Sequence, residues 1–273
     1  MRFRIVFSDL DGTLLDDHQR IGERTLAAVS ELTRRGIPFV PVSARMPGAI
    51  LPLTRRLGVR TPMVCFNGGL LRDAEGRTIA GTPIPHETVA RALAAIRRVQ
   101  EEIGLSVASN IYTEDLWLTQ EPESIQALRE SEVVRMKPTK VDYEEFLRGD
   151  LPVYKLSCCT DYREKTGAAL LEERLARALP ELAVHSSAGW YLELSAASAT
   201  KGNGLIRMCE LLQIPREESI AFGDNYNDVD MLQAAGFGVC MANGPAEVKA
   251  AADAVTPKTN EEEGLAQYLC GLL

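Results

Sequence analysis

Two acidic runs carry the residues best able to do chemistry. Asp9-Leu10-Asp11-Gly12-Thr13-Leu14 sets two carboxylates two residues apart, and Gly223-Asp224-Asn225-Tyr226-Asn227-Asp228 gathers carboxylates and carboxamides together. A pair of carboxylates can hold a divalent cation and still leave one for covalent work. A free carboxylate is a competent nucleophile toward phosphorus, giving an aspartyl phosphate. The second run is rich in oxygen donors, which hard cations such as Mg²⁺ prefer. Each run also has a plainer reading: Asp-Gly makes a turn, and the second run forms Asx turns that cap a helix starting near Val229. A calcium loop is excluded for both. The glycine and glutamate it needs at loop positions six and twelve fall on Leu14 and Arg20 counted from Asp9, and on Val229 and Ala235 counted from Asp224.

Two further residues fit the same chemistry. Ser43 follows an apolar run, and its hydroxyl with neighbouring backbone N–H groups can hold phosphate oxygens where a loop enters a helix. Lys201, in Thr200-Lys201-Gly202-Asn203-Gly204, can neutralise phosphoryl charge or a nucleophile's carboxylate. Taken singly, Ser43 reads as a helix cap and Lys201 as a solvated surface charge.

The elements around these residues alternate in type. Arg4–Ser8, Ile37–Val42 and Met63–Phe66 read as short apolar strands, with helices at Ile21–Arg35 and Pro47–Leu57 between them. Such alternation implies parallel pairing with right-handed crossovers. The pattern resumes late in the chain with helices at Lys201–Leu212, Val229–Ala235 and Pro245–Ala252 and strands at Ser219–Phe222 and Phe237–Met241. In open α/β sheets ligands bind beyond the carboxyl ends of the strands, where both acidic runs fall. The middle is different. Helices are expected at Glu87–Ile103, Glu123–Ser131, Tyr143–Leu147 and Arg163–Leu179, and strands at Leu105–Tyr112, Leu116–Thr119, Val133–Lys137, Val153–Cys159, Leu182–His185 and Tyr191–Leu194. The fold class is therefore α/β: a Rossmann-like parallel-sheet core from residues 1–82 and 194–273, with an α+β cap inserted at 83–193.

Composition bounds the class of function. Of the 273 residues, 45% are hydrophobic and 25% charged, the balance of a globular protein. With 30 basic against 38 acidic residues the net charge is -8, which argues against a general nucleic-acid or anionic-membrane binder. No stretch is long and apolar enough for a membrane span, and Asp9 and Asp11 interrupt the N-terminus too early for a signal peptide. The cysteines, Cys65, Cys158, Cys159, Cys209, Cys240 and Cys270, form no CxxC and read as reduced core residues of a cytoplasmic protein, with Cys158 and Cys159 on opposite faces of one strand.

Together the motifs resemble those of the haloacid dehalogenase superfamily of phosphatases, specifically its Cof-type group of sugar-phosphate phosphatases with a large α/β cap. Asp9-Leu10-Asp11-Gly12-Thr13 is similar to the first family motif, Ser43 to the second, Lys201 to the third and Gly223–Asp228 to the fourth, in the right order and with a cap between the second and third. Met241-Ala242-Asn243-Gly244 and Asn260-Glu261-Glu262-Glu263-Gly264 also resemble Cof-type segments, while Ser43-Ala44-Arg45 departs from the commoner Thr-Gly-Arg but keeps the hydroxyl. The resemblance implies that Asp9 is the nucleophile and that Asp11 protonates the leaving alcohol and then activates water. It implies Mg²⁺ held by Asp9, the Asp11 backbone carbonyl and Asp224, supported by Asn227 and Asp228, with Ser43, Lys201 and Asn227 on the phosphoryl group. Asn67 or Gly68 would add a contact. The cap, hinged near Gly81–Pro85 and Leu194–Ala199, would choose the leaving group and exclude water. Tyr112, Trp117, Trp190 and Tyr191 have rings able to stack on a sugar or another ring but read rather as core or sheet-face packing, and His86 and His185 as surface or cap residues. The expected activity is Mg²⁺-dependent hydrolysis of small phosphorylated metabolites, sugar phosphates first. The alternatives are a phosphatase of pyridoxal phosphate or flavin mononucleotide, a phosphomutase, and a non-enzymatic phospho-accepting or sugar-phosphate-sensing module.

Overall fold

The apolar run near the N-terminus becomes strand β1 (Ile5–Asp9), buried along its whole length. In the computed structural model, residues 3–134, 136–161 and 165–273 are described, without the side chains of 133, 134, 165, 166, 187 and 188. Helix α1 (Glu23–Arg34) buries Thr25, Ala28, Val29 and Leu32, a spacing that puts them on one face. It gives way to Gly36, whose φ of 70° suits glycine at a helix end. Strand β2 (Phe39–Val42) follows, then helix α2 (Pro47–Arg56), which starts on a proline, and strand β3 (Met63–Cys65). Two strands absent from the sequence reading come next, β4 (Leu70–Arg72) and β5 (Thr78–Gly81). Both are short, and neither has an alternation long enough to register.

The chain divides into two compact units, Met1–Gly81 with Thr200–Leu273, and Thr82–Ala199. The second unit runs α3 (His86–Ile103), β6 (Ala108–Tyr112), β7 (Trp117–Thr119), α4 (Ile125–Val134), β8 (Thr139–Lys140), α5 (Tyr143–Phe146), β9 (Lys155–Cys159), α6 (Lys165–Ala178), β10 (Leu182–Ala188) and β11 (Tyr191–Ala196). Its sheet has the order β10-β11-β9-β6-β7-β8, antiparallel except at the β7–β8 pair. Ile111, Leu118, Leu156, Cys158, Leu192 and Leu194 join an apolar core with α3 and α6 residues such as Val89, Ile96, Leu171 and Leu175. The alternate residues face the other way. There Tyr112 stacks on Trp117, the Tyr112 and Tyr191 hydroxyls lie 3.3 Å apart, and Lys155 Nζ donates to Glu193 Oε1 at 2.7 Å. Cys158 and Cys159 therefore fall on opposite faces, as expected, and Tyr112, Trp117 and Tyr191 are buried in packing.

One expectation here is corrected. A strand was expected over Val133–Lys137, yet α4 continues to Val134 and the strand β8 comes only at Thr139–Lys140. Two β-branched valines read as strand, but a helix already under way carries them. Arg135 lies outside the described residues, as do Arg163 and Glu164 at the expected start of α6.

The first unit then resumes with α7 (Lys201–Leu211), β12 (Ser219–Gly223), α8 (Val229–Ala234), β13 (Phe237–Cys240), α9 (Ala246–Ala250), β14 (Ala254–Val255) and α10 (Gly264–Cys270). Its sheet has the order β14-β13-β12-β1-β2-β3-β4-β5, parallel from β14 to β3 and antiparallel beyond. β1 sits between β12 and β2, with Phe7 beside Ala221 and Val40. Ile5, Phe7, Val40 and Val64 pack on Leu205 and Met208 of α7 and Met231 and Leu232 of α8. Because β1, β2, β3 and β12 are parallel neighbours, the loops that follow them leave from one edge of the sheet.

Candidate active site

Four backbone segments meet at that edge. Asp9 is the last residue of β1, Ser43 follows β2, and Asp224 follows β12. Lys201 opens α7, where the Thr200 hydroxyl accepts from the Asn203 N–H at 3.2 Å and Asp230 Oδ2 accepts from the Gly202 N–H at 2.9 Å. That capping fixes the first turn of the helix and with it the lysine. The Lys201 side chain is 1% exposed, and its ammonium donates to Asp9 Oδ1 and to Asp228 Oδ1, each at 2.6 Å. A buried lysine in such a position needs both carboxylates to offset its lost hydration.

Asp228 organises its own loop as well. Its Oδ2 accepts from the Asp224 and Asn225 backbone N–H groups, both at 3.0 Å. Asp224 in turn is fixed from the first loop, because Thr13 Oγ1 donates to its Oδ1 at 2.8 Å. Gly12, with φ of 80°, lies so close that a Cβ there would stand 2.5 Å from Asp224 Oδ2. Only glycine fits. One carboxylate oxygen from each of Asp9, Asp224 and Asp228 lies within 4.8 Å of the others, a donor set of hard oxygens that fits a divalent cation such as Mg²⁺. Both Asp228 oxygens already hold protein donors, whereas Asp9 and Asp224 each have one oxygen that no hydrogen bond occupies among the described residues.

The crowding of acids shifts their protonation. Burial raises the Asp9 pKa well above the usual carboxylate range, Lys201 pulls it back, and the charges of Asp228 and Asp224 push it up again. Asp224 is raised to about 6, mainly by burial, with the Thr13 hydrogen bond opposing. Burial works against the charge of Lys201, but Asp228 and Asp9 outweigh it and hold its pKa above the ordinary lysine value. A second positive charge at the site, from a divalent cation, would relieve the same repulsion.

Asp11 stands apart from that cluster. Arg45 donates Nε to Asp11 Oδ2 at 2.9 Å and Nη2 to Asp11 Oδ1 at 2.5 Å, and Gln19 Nε2 donates to Oδ1 at 2.7 Å. Ser43 is buried, and its Oγ accepts from the Arg45 N–H at 3.1 Å, so one short loop carries both residues. The Asn67 N–H donates to the Ser43 carbonyl at 2.9 Å, and Gly68 packs so closely that a Cβ would lie 2.1 Å from the Thr200 carbonyl oxygen. Phe66 and Asn67 take left-handed φ values of 51° and 52° to make this approach. Asn227 lies at the exposed rim. Thr13, Gln19 and Arg45 contribute to the site beyond the residues expected from the sequence. Thr13 and Arg45 stand within the quoted motifs, so the signal was adjacency to an acid and a hydroxyl. Gln19 carried no signal.

Comparison with known proteins gives the same outline. Residues 6–269 match the family profile of the haloacid dehalogenase-like hydrolases. The chain belongs to that family. It is 34% identical over 269 residues to a putative phosphatase of Haemophilus influenzae, covering 98% of each chain. It is 27% identical over 280 residues to the pyridoxal phosphate phosphatase YbhA of Escherichia coli, again covering 98% of each. Among solved structures, a haloacid dehalogenase-like hydrolase from Bacteroides thetaiotaomicron superposes with a TM-score of 0.87 at 27% identity, covering 100% of both chains. The protein is a phosphatase of the haloacid dehalogenase superfamily, of the Cof type, with an α/β core. No helix among its described residues is long and apolar enough to cross a membrane.

Proposed function

We propose that this phosphatase hydrolyses small phosphomonoesters, sugar phosphates first among them, through a phosphoryl group carried transiently on Asp9. The observation that carries the reading is the buried bridge of Lys201 between Asp9 and Asp228, with Asp224 beside it. An ammonium fixed on the nucleophile's oxygen orients the carboxylate and offsets its repulsion by an incoming phosphate. Asp9 attacks phosphorus in line, and the P–O bond to the alcohol breaks on the opposite side. Asp11 gives that alcohol its proton and later takes one from the water that cleaves the acyl phosphate, restoring Asp9 and releasing inorganic phosphate. Ser43 and the N–H groups of its loop hold phosphoryl oxygens, with Asn227 at the rim. Mg²⁺ would be held by Asp9 and Asp224, with the Asp11 carbonyl beside them, and Asp228 and Asn227 would support it. It supplies charge neutralisation between two anions. Asp228 then serves chiefly to hold Lys201 and the Asp224 loop in place. The unit Thr82–Ala199 acts as the cap that selects the leaving alcohol. The cytoplasm is the proposed compartment, in keeping with six free cysteines.

The test is phosphate release from a panel of sugar phosphates, nucleotides, pyridoxal phosphate and flavin mononucleotide, with Mg²⁺ and with EDTA. The wild type should release phosphate only with Mg²⁺, and Asp9→Asn should lose roughly 10³-fold or more. Preference for pyridoxal phosphate would shift the substrate class toward that of the Escherichia coli relative. An isomeric phosphate ester in place of inorganic phosphate would make the protein a mutase. Activity that survives chelation would remove the metal from the account.

A further inference from the structure

Two segments late in the chain take no part in the reaction as described, yet both reach the loop that carries Asp11. Asn260 is buried, and its Nδ2 donates to the Leu15 carbonyl at 3.0 Å and to Asp17 Oδ1 at 3.1 Å. Its backbone N–H donates to Asn243 Oδ1 at 3.1 Å, and Asn243 Nδ2 donates to the Gly12 carbonyl at 2.8 Å. Asn260 and Asn243 thus form a relay, joined through the Asn260 backbone N–H and ending on the Gly12 carbonyl. Beside them, Glu261 Oε1 accepts from the Asp17 N–H at 2.6 Å, and Glu263 Oε2 accepts from the Thr25 N–H at 2.8 Å. The latter supplies helix α1 with the N-terminal acceptor that Gly22 lacks. Gly244 completes the contact from the other side: a Cβ there would lie 2.8 Å from the Asp224 carbonyl oxygen. One strip of chain therefore touches both acid-bearing loops.

We infer that Asn243 and Asn260 are positioning residues, which set where the Asp9–Asp11 loop lies against the Asp224 loop; this rests on the phosphatase reading above. The donor pattern is specific. Gly12 and Leu15 present carbonyl oxygens, which only accept, so each carboxamide must turn its Nδ2 toward them. Aspartate has the same shape but sets an oxygen against an oxygen. Asn→Asp at these positions thus keeps the shape, removes the donor and adds a negative charge, which at residue 260 faces the Asp17 carboxylate. A shift of the loop by about an ångström is enough to cost chemistry heavily. Buried Asn260 should matter more than Asn243, whose residue is exposed.

The test compares Asn260→Asp and Asn243→Asp with wild type and with Leu171→Ala, a core truncation in the other unit that serves as a control for general loss of stability. Expected for Asn260→Asp is a fall in kcat of ~10-fold or more with KM changed by less than about two-fold, and a smaller fall for Asn243→Asp. Leu171→Ala should lower Tm without that kcat loss. Hydrogen exchange supplies an independent arm: the peptide spanning residues 10–17 should exchange faster in both Asn variants and not in the control. Unchanged kcat with unchanged exchange in Asn260→Asp overturns the inference, as does a kcat loss that Leu171→Ala reproduces at equal Tm. If the wild type releases no phosphate from any ester, the phosphatase reading fails and the exchange arm alone decides the relay.

Discussion

Both units bury a lysine against carboxylate, and they do it in different places. In the parallel sheet the bridge Asp9–Lys201–Asp228 sits beyond the strand ends, where three loops and a helix start converge. In the antiparallel sheet the pair Lys155–Glu193 lies within the strands, on the face opposite the apolar core, with the Tyr112 ring 4.7 Å from the ammonium. A parallel sheet covered on both faces has no free face to carry polar groups, so its chemistry is pushed to its edge. A two-faced antiparallel sheet can build a polar layer from alternate residues. Strand-end charges can reach a ligand, whereas mid-strand charges chiefly hold the sheet's own face together.

Substitutions can break that contrast. Lys201→Met should have the largest effect, lowering kcat by about 10²- to 10³-fold, because Asp9, the proposed nucleophile, loses its cation and two buried carboxylates lose their partner. Steady-state phosphate release measures it. Lys155→Ala should act on stability instead, costing about 3 kcal/mol by leaving the half-buried Glu193 without its ammonium, as urea denaturation would read. Replacing both partners, Lys155→Met with Glu193→Leu, should recover most of that loss, since the pair's own desolvation vanishes with it. A double replacement as destabilised as Lys155→Ala would mean that the Lys155–Glu193 pair, like the Lys201 bridge, does more than fill its layer.

A smaller effect concerns protons. Asp224 is raised from the ordinary 3.8 to about 6, so the folded, metal-free protein binds that proton more tightly than the unfolded chain. This group's contribution to metal-free stability is therefore lost as pH rises from about 4 to about 6. A cation held by Asp224, as proposed, would compete with the same proton. The rise in Tm on adding Mg²⁺ should be full near neutral pH and shrink as pH falls through about 6. A Tm rise independent of pH would detach Asp224 from the metal.

Much of this arrangement is legible in the residues, for a physical reason. Acids and hydroxyls at the ends of apolar runs announce a sheet edge, and Asp9, Ser43 and Asp224 all stand there. Lys201 reads only as a charge near a helix start, and its burial to 1% exposure follows from packing that no local pattern encodes. The hidden contacts are long in sequence: Thr13 with Asp224, and Asn260 with Leu15. An asparagine carries no period and no propensity that would point to a partner hundreds of residues away. In the second unit the valines at 133 and 134 misled because a β-branched pair has the same composition in a strand as at the end of a helix.

The central claim is that Asp9 carries the phosphoryl group. Rapid acid quench during turnover, followed by peptide mass spectrometry, tests it most directly. The expected result is a phosphorylated peptide containing Asp9 in the wild type, enriched in Asp11→Asn with a good leaving group, and absent in Asp9→Asn. Phosphate release with the phosphoryl group found on another residue, or on none at any quench time, would contradict it.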